Sequence, residues 1–107
     1  MSKKQYDKLI RDRIPEIIEA DGKRCTCSIL SDEEYLAKLD EKLNEELAEY
    51  QDSKSMEELA DPLEVIRAIA LARGSSIEDV EAIRRDKAEK HGGFEKKILL
   101  TEVITED

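Results

Sequence analysis

The sequence predicts an all-α protein, and three observations carry that expectation. Leucine and isoleucine recur at three- and four-residue spacing through the middle of the chain. Ser-x-x-Glu tetrapeptides stand where helices would begin, and glycine stands where they would end. With 107 residues, 42% of them charged and only 4% aromatic, the composition suits a soluble helical fold built as one domain, 1–107, around one modest core.

Taken in order, "LIRDRIPEIIEADG" reads as a short N-terminal helix, with Pro15 tolerated in its first turn and Gly22 as its left-handed stop. "KRCTCSIL" reads as extended, with the pattern of a short strand. Ser31 and Glu34 then form a capping box. Leu36, Leu39, Leu43 and Leu47 follow at helical spacing and predict a long helix over about residues 32–51. "QDSKS" reads as a polar connector. Ser55 with Glu58 opens a second long helix with Leu59, Leu63, Ile66 and Ala70 on one stripe, ending at Gly74. So short a link implies antiparallel neighbours. Ser75 with Glu78 opens a third, through Ile77, Val80, Ile83 and Lys87 to "HGG", and the tail "FEKKILLTEVITED" reads as extended with an apolar patch. The expected architecture is therefore a bundle of about three long helices. Apolar residues on more than one helix face lead us to expect completion by oligomerisation, as a homodimer or homotetramer.

The formal net charge of −9 argues against unaided binding to nucleic acid or anionic lipid, because the field of the chain repels polyanions. No run approaches the roughly 20 apolar residues of a membrane span, and "MSKKQYDK" lacks the apolar core of a secretory signal. A cytoplasmic location is the corresponding expectation. Cys25 and Cys27 are too close for an ordinary structural disulfide and too few for a zinc site, which leaves small packed side chains or reactive thiols.

The chemistry concentrates in "NEELAEYQDSKSMEELADPLEVI", which places eight carboxylates beside apolar stripes. On a helical wheel Glu46 falls at the edge of the leucine stripe, and Glu49 lies about 60° further out. Glu58 and Asp61 lie within about 60° of each other on a line continued by Val65 and Ile69. Carboxylates facing an apolar surface must protonate, pair with cations or hold a metal. An all-oxygen donor set suits Mg²⁺, with Mn²⁺ as a substitute. A di-iron carboxylate site would need Glu-x-x-His pairs, yet His91 is the only histidine and Ala88 precedes it by three; no EF-hand pattern is present either. The structural alternative treats Glu58 as the capping partner of Ser55 and the remaining acids as solvated faces near Lys42 and Lys54.

Pro62 leaves two arrangements open. Asp61 can cap a helix that starts at Pro62, or the helix can run through the proline with a kink. The phase shared by Leu59 and Leu63 favours the continuous helix.

Glu45-Glu46-x-x-Glu49 followed by Glu58-x-x-Asp61 resembles the EExxE…ExxD signature of the MazG-like, all-α nucleoside triphosphate pyrophosphohydrolases. "YDKLIRDRIPEIIEADGK", "ELADPLEVIRAIA" and "RRDKAEKHGGFEKKI" resemble a compact branch of that superfamily, described as house-cleaning pyrophosphatases for noncanonical nucleotides. The likeness extends over roughly Tyr6 to Leu99. It implies Mg²⁺-dependent hydrolysis of a nucleoside triphosphate to monophosphate and pyrophosphate. It also implies Glu46, Glu49, Glu58 and Asp61 as metal ligands, with Glu45 beside Glu46 in the catalytic pair to orient or deprotonate water. Positive side chains would complete a phosphate clamp, and the candidates are Lys8, Arg11, Lys87 and Lys90. The eight-residue spacer between Glu49 and Glu58 is shorter than the usual connection of the family. Two other functions fit the same pattern: a phosphoribosyl-ATP pyrophosphohydrolase, and a non-catalytic acidic helical binding protein with a degenerate metal site.

Overall fold

The computed structural model describes residues 2–106, and over them the protein is all-α, with four helices and no strand. The helices are α1 (Ile14–Ala20), α2 (Asp32–Ser53), α3 (Met56–Ala72) and α4 (Ile77–His91). The chain forms two compact units, Met1–Ile77 and Glu78–Asp107. No helix among the described residues is long and apolar enough to cross a membrane.

In the first unit, α1 is only seven residues long, with Pro15 in its first turn and Gly22 beyond its end at φ +80. Residues 23–30, expected to be extended, carry neither helix nor strand. α2 opens on the full capping box. Ser31 Oγ accepts from the Glu34 backbone N–H, and the Glu34 carboxylate accepts in return from the Ser31 backbone N–H.

At its far end α2 runs two residues further than expected and absorbs Asp52 and Ser53 of the anticipated connector. The turn is left to Lys54 and Ser55. Lys54 takes the left-handed conformation, φ 60 and ψ 20, a position usually given to glycine. Its backbone N–H donates to the Tyr50 carbonyl, and its ammonium lies over the Tyr50 ring at 5.5 Å. So compact a turn folds α3 back along α2, and these two helices pack on each other.

α3 is continuous through Pro62, which decides between the two arrangements the sequence left open. The proline costs the helix one backbone hydrogen bond, since it has no N–H to give the Glu58 carbonyl. Its ring is instead buried in the packed face.

The core is small. Leu39 of α2 is 2% exposed, and Val65 and Ala70 of α3 are buried with it. Here the expected stripe of α3 needs correction. Ala70 is inside and Ile66 half-buried, but Leu59 and Leu63 are exposed, Leu63 by 57%. α3 turns the line Glu58, Asp61, Pro62 and Val65 inward, so the acids take the place against α2 that leucine spacing alone assigns to Leu59 and Leu63. On α2, Leu36 and Leu43 are half-buried and Leu47 is exposed, leaving leucines of both helices on the surface.

In the second unit, α4 ends at His91 and Gly92 follows at φ +84, with its N–H on the Ala88 carbonyl. Arg84 and Arg85 both pair with Glu81 along this helix. Residues 97–106 have neither helix nor strand, and Ile98, Leu99, Leu100, Val103 and Ile104 are exposed.

Candidate metal centre

The α2–α3 hairpin brings together the four acids read from the sequence. Glu46, Glu49, Glu58 and Asp61 each offer one oxygen, and these four oxygens all lie within 4.8 Å of one another. Antiparallel geometry produces this directly. Glu49 and Glu46 lie about one and two turns before the end of α2, and Glu58 and Asp61 lie in the first and second turns of α3, so the two pairs meet where the helices pack. Twice the 2.0–2.1 Å bond length of Mg²⁺ puts opposite ligands about 4.2 Å apart, so modest side-chain adjustment would close the cluster on such an ion.

The four acids differ in surroundings. Glu46 is 6% exposed, Glu58 and Asp61 are half-buried, and Glu49 opens to solvent. Burial pushes the Glu46 carboxyl above the ordinary glutamate value. Lys42 opposes that shift, and the nearby charges of Glu49 and Asp61 add to it. Lys42 Nζ lies 3.1 Å from Glu46, so even a direct cationic partner does not offset the desolvation.

Glu58 supplies the sharpest detail. Its Oε2 atom is buried and has no hydrogen-bond partner. The sequence offered this residue as the reciprocal partner of Ser55, but only half of that capping box forms. Ser55 Oγ accepts from the Glu58 backbone N–H at 3.2 Å, while the Ser55 N–H donates to Ser53 Oγ at 3.2 Å. With Ser53 satisfying that donor, the Glu58 carboxylate joins the acid cluster. A buried carboxylate oxygen without a partner is costly, and a hard cation would satisfy it. The all-carboxylate donor set fits Mg²⁺ or Mn²⁺ on the same grounds.

Cations from outside the hairpin reach the rim. Lys8 Nζ pairs with Glu45 at 2.8 Å, and Arg11 pairs with Asp61 Oδ1 at 2.8 Å. A third link fixes the same N-terminal segment, Lys38 Nζ donating to the Asp7 carbonyl at 3.4 Å. Glu45 stands beside the cluster without belonging to the four. Its pairing with Lys8, and more weakly with Lys42, holds its carboxyl below the ordinary value, and the same contact raises Lys8. Two neighbouring carboxyls are thus shifted in opposite directions, Glu45 below its ordinary value and Glu46 above it.

Lys8 and Arg11 are therefore placed at the acids. Lys87 and Lys90 belong to the second unit, on α4, where Lys90 pairs with Asp86 at 3.1 Å. Lys42 was legible in the sequence only as a nearby charge. Its position one turn before Glu46 is the signal for its actual role, bridging Glu45 and Glu46.

Comparison with known proteins adds little beyond the geometry. No family model matches the chain, and no solved structure matches it. A stretch of 41 residues, 38% of the chain, is 58% identical to a protein of Mycolicibacterium smegmatis described as uncharacterized. The match spans 42% of that relative's length.

Proposed function

We propose that the protein is a Mg²⁺-dependent nucleoside triphosphate pyrophosphohydrolase of MazG-like type, releasing a nucleoside monophosphate and pyrophosphate. The observation that carries this reading is the four-carboxylate cluster with the partnerless Glu58 oxygen inside it. Glu46, Glu49, Glu58 and Asp61 would hold the ion. Once bound, Mg²⁺ supplies neutralisation of triphosphate charge and activation of a water.

The chain's own groups do the rest. Glu45, kept ionised by Lys8, is the acid that orients the attacking water. Lys8 and Arg11 already face the cluster; on substrate binding Arg11 would exchange Asp61 for phosphate oxygens, while Lys8, still on Glu45, would add its charge beside them. The exposed Leu47, Leu59 and Leu63 support assembly as a homodimer or homotetramer, which would cover them with a second copy of the hairpin.

A second reading rests on a specific observation. Arg11 and Lys42 already pair with Asp61 and Glu46, an arrangement that also suits a non-catalytic acidic binding protein. Magnesium separates the two. Millimolar Mg²⁺ is expected to raise the melting temperature and to support pyrophosphate release from a panel of common and damaged nucleoside triphosphates. Glu49→Gln is expected to abolish that turnover with helical content unchanged. Absence of both the thermal shift and the pyrophosphate would remove the enzymatic reading.

A further inference from the structure

Cys25 and Cys27 lie in residues 23–30, the segment without helix or strand that joins α1 to α2. Side chains two residues apart on extended backbone emerge on the same side, and here the two sulfur atoms stand 3.9 Å apart, in thiol–thiol contact. Both are free thiols, Cys27 exposed and Cys25 half-buried. They differ in readiness to react. Burial raises the Cys25 thiol above its ordinary value, the Cys27 contact and the Glu19 charge raise it further, and it stays protonated at neutral pH.

We propose that Cys25 and Cys27 form a reversible dithiol–disulfide couple whose reaction partner is a low-molecular-weight disulfide. The exposed Cys27 thiolate attacks one sulfur of the small disulfide, forming a mixed disulfide and expelling one small thiolate, which takes up a proton. Cys25 then loses its proton and attacks the Cys27 sulfur across the short gap. The Cys25–Cys27 bond forms as the Cys27-to-small-molecule bond breaks, and a second small thiol leaves. Two electrons and two protons pass from the pair to the small disulfide, which ends as two thiols. A ring closed across a single intervening residue, Thr26, is strained. Strain makes the bond easy to reduce, so the couple is labile, unlike the resistant bridges of a structural framework. None of this depends on the carboxylate cluster.

The test incubates the reduced full chain with glutathione disulfide and follows intact mass and thiol alkylation. The expected product has lost two hydrogens and both alkylatable thiols, retains no glutathione, and returns to the starting mass with dithiothreitol. Cys25→Ser is expected to stop at a single glutathione adduct on Cys27, and Cys27→Ser to react at least about tenfold more slowly. Wild-type protein that accumulates glutathione adducts or disulfide-linked dimers would overturn the proposal. Equal reaction rates for the two single variants would overturn it as well.

Discussion

The N-termini of α2 and α3 carry the same Ser-x-x-Glu tetrapeptide and use it for different ends. At α2, Ser31 and Glu34 close the whole box, and the glutamate is held below its ordinary value by the two Ser31 contacts. At α3 the serine still caps, but Ser53 takes over the bond that Glu58 would have made, and the glutamate turns toward three other acids. The difference lies outside the motif. Ser31 follows a segment with no regular structure, whereas Ser55 follows a helix end whose last residue is a hydrogen-bonding serine. A capping glutamate becomes available for other chemistry when a neighbour replaces it at the helix end.

The largest expected consequence concerns function. Glu58→Gln should remove the Mg²⁺-induced rise in melting temperature and lower pyrophosphate release by at least about a hundredfold, while Glu34→Gln should change release by less than about twofold. Parallel Mg²⁺ titrations and turnover assays check this, and equal effects would erase the distinction between the two glutamates. A smaller effect is expected in stability. Ser31→Ala and Ser55→Ala should each cost about 1 kcal/mol, since each serine caps its helix. Double-mutant cycles in metal-free buffer should find coupling between Ser31 and Glu34 and none between the side chains of Ser55 and Glu58. The smallest effect is in pH. A depressed carboxyl stabilises the fold above its unfolded pKa, about 4.3 for glutamate, and that contribution is lost as pH falls through the lower folded value. Melting curves across the acid range should therefore fall less steeply for Glu34→Gln than for the wild type.

Much of the hairpin was legible because local rules govern it. Ser31 and Ser55 cap where their tetrapeptides stand, and α2 begins where expected. The four acids of the cluster followed from helical phase together with a resemblance that no family model repeats. What escaped was set by neighbours distant in sequence or by backbone choices a side chain does not advertise. Lys54 adopts the left-handed conformation without being glycine, which let "QDSKS" collapse into a two-residue turn. Which face of α3 meets α2 was not legible, because hydrophobic spacing cannot tell a stripe facing α2 from one turned outward, and Leu59 and Leu63 lie exposed. The pairing of Arg11 with Asp61 joins residues 50 positions apart, and nothing local in either one indicates it.

The two-residue turn at Lys54 has a consequence in time as well as in space. The four acids of the cluster, Glu46 to Asp61, lie within sixteen consecutive positions, so bringing them together requires closing one short loop and no long-range search. Local contacts of this kind belong to the fast part of folding, ahead of the clasp that Lys8 and Arg11 bring from the N-terminal segment. An ion held by these acids would therefore stabilise the hairpin through contacts local to it, whatever the rest of the chain contributes.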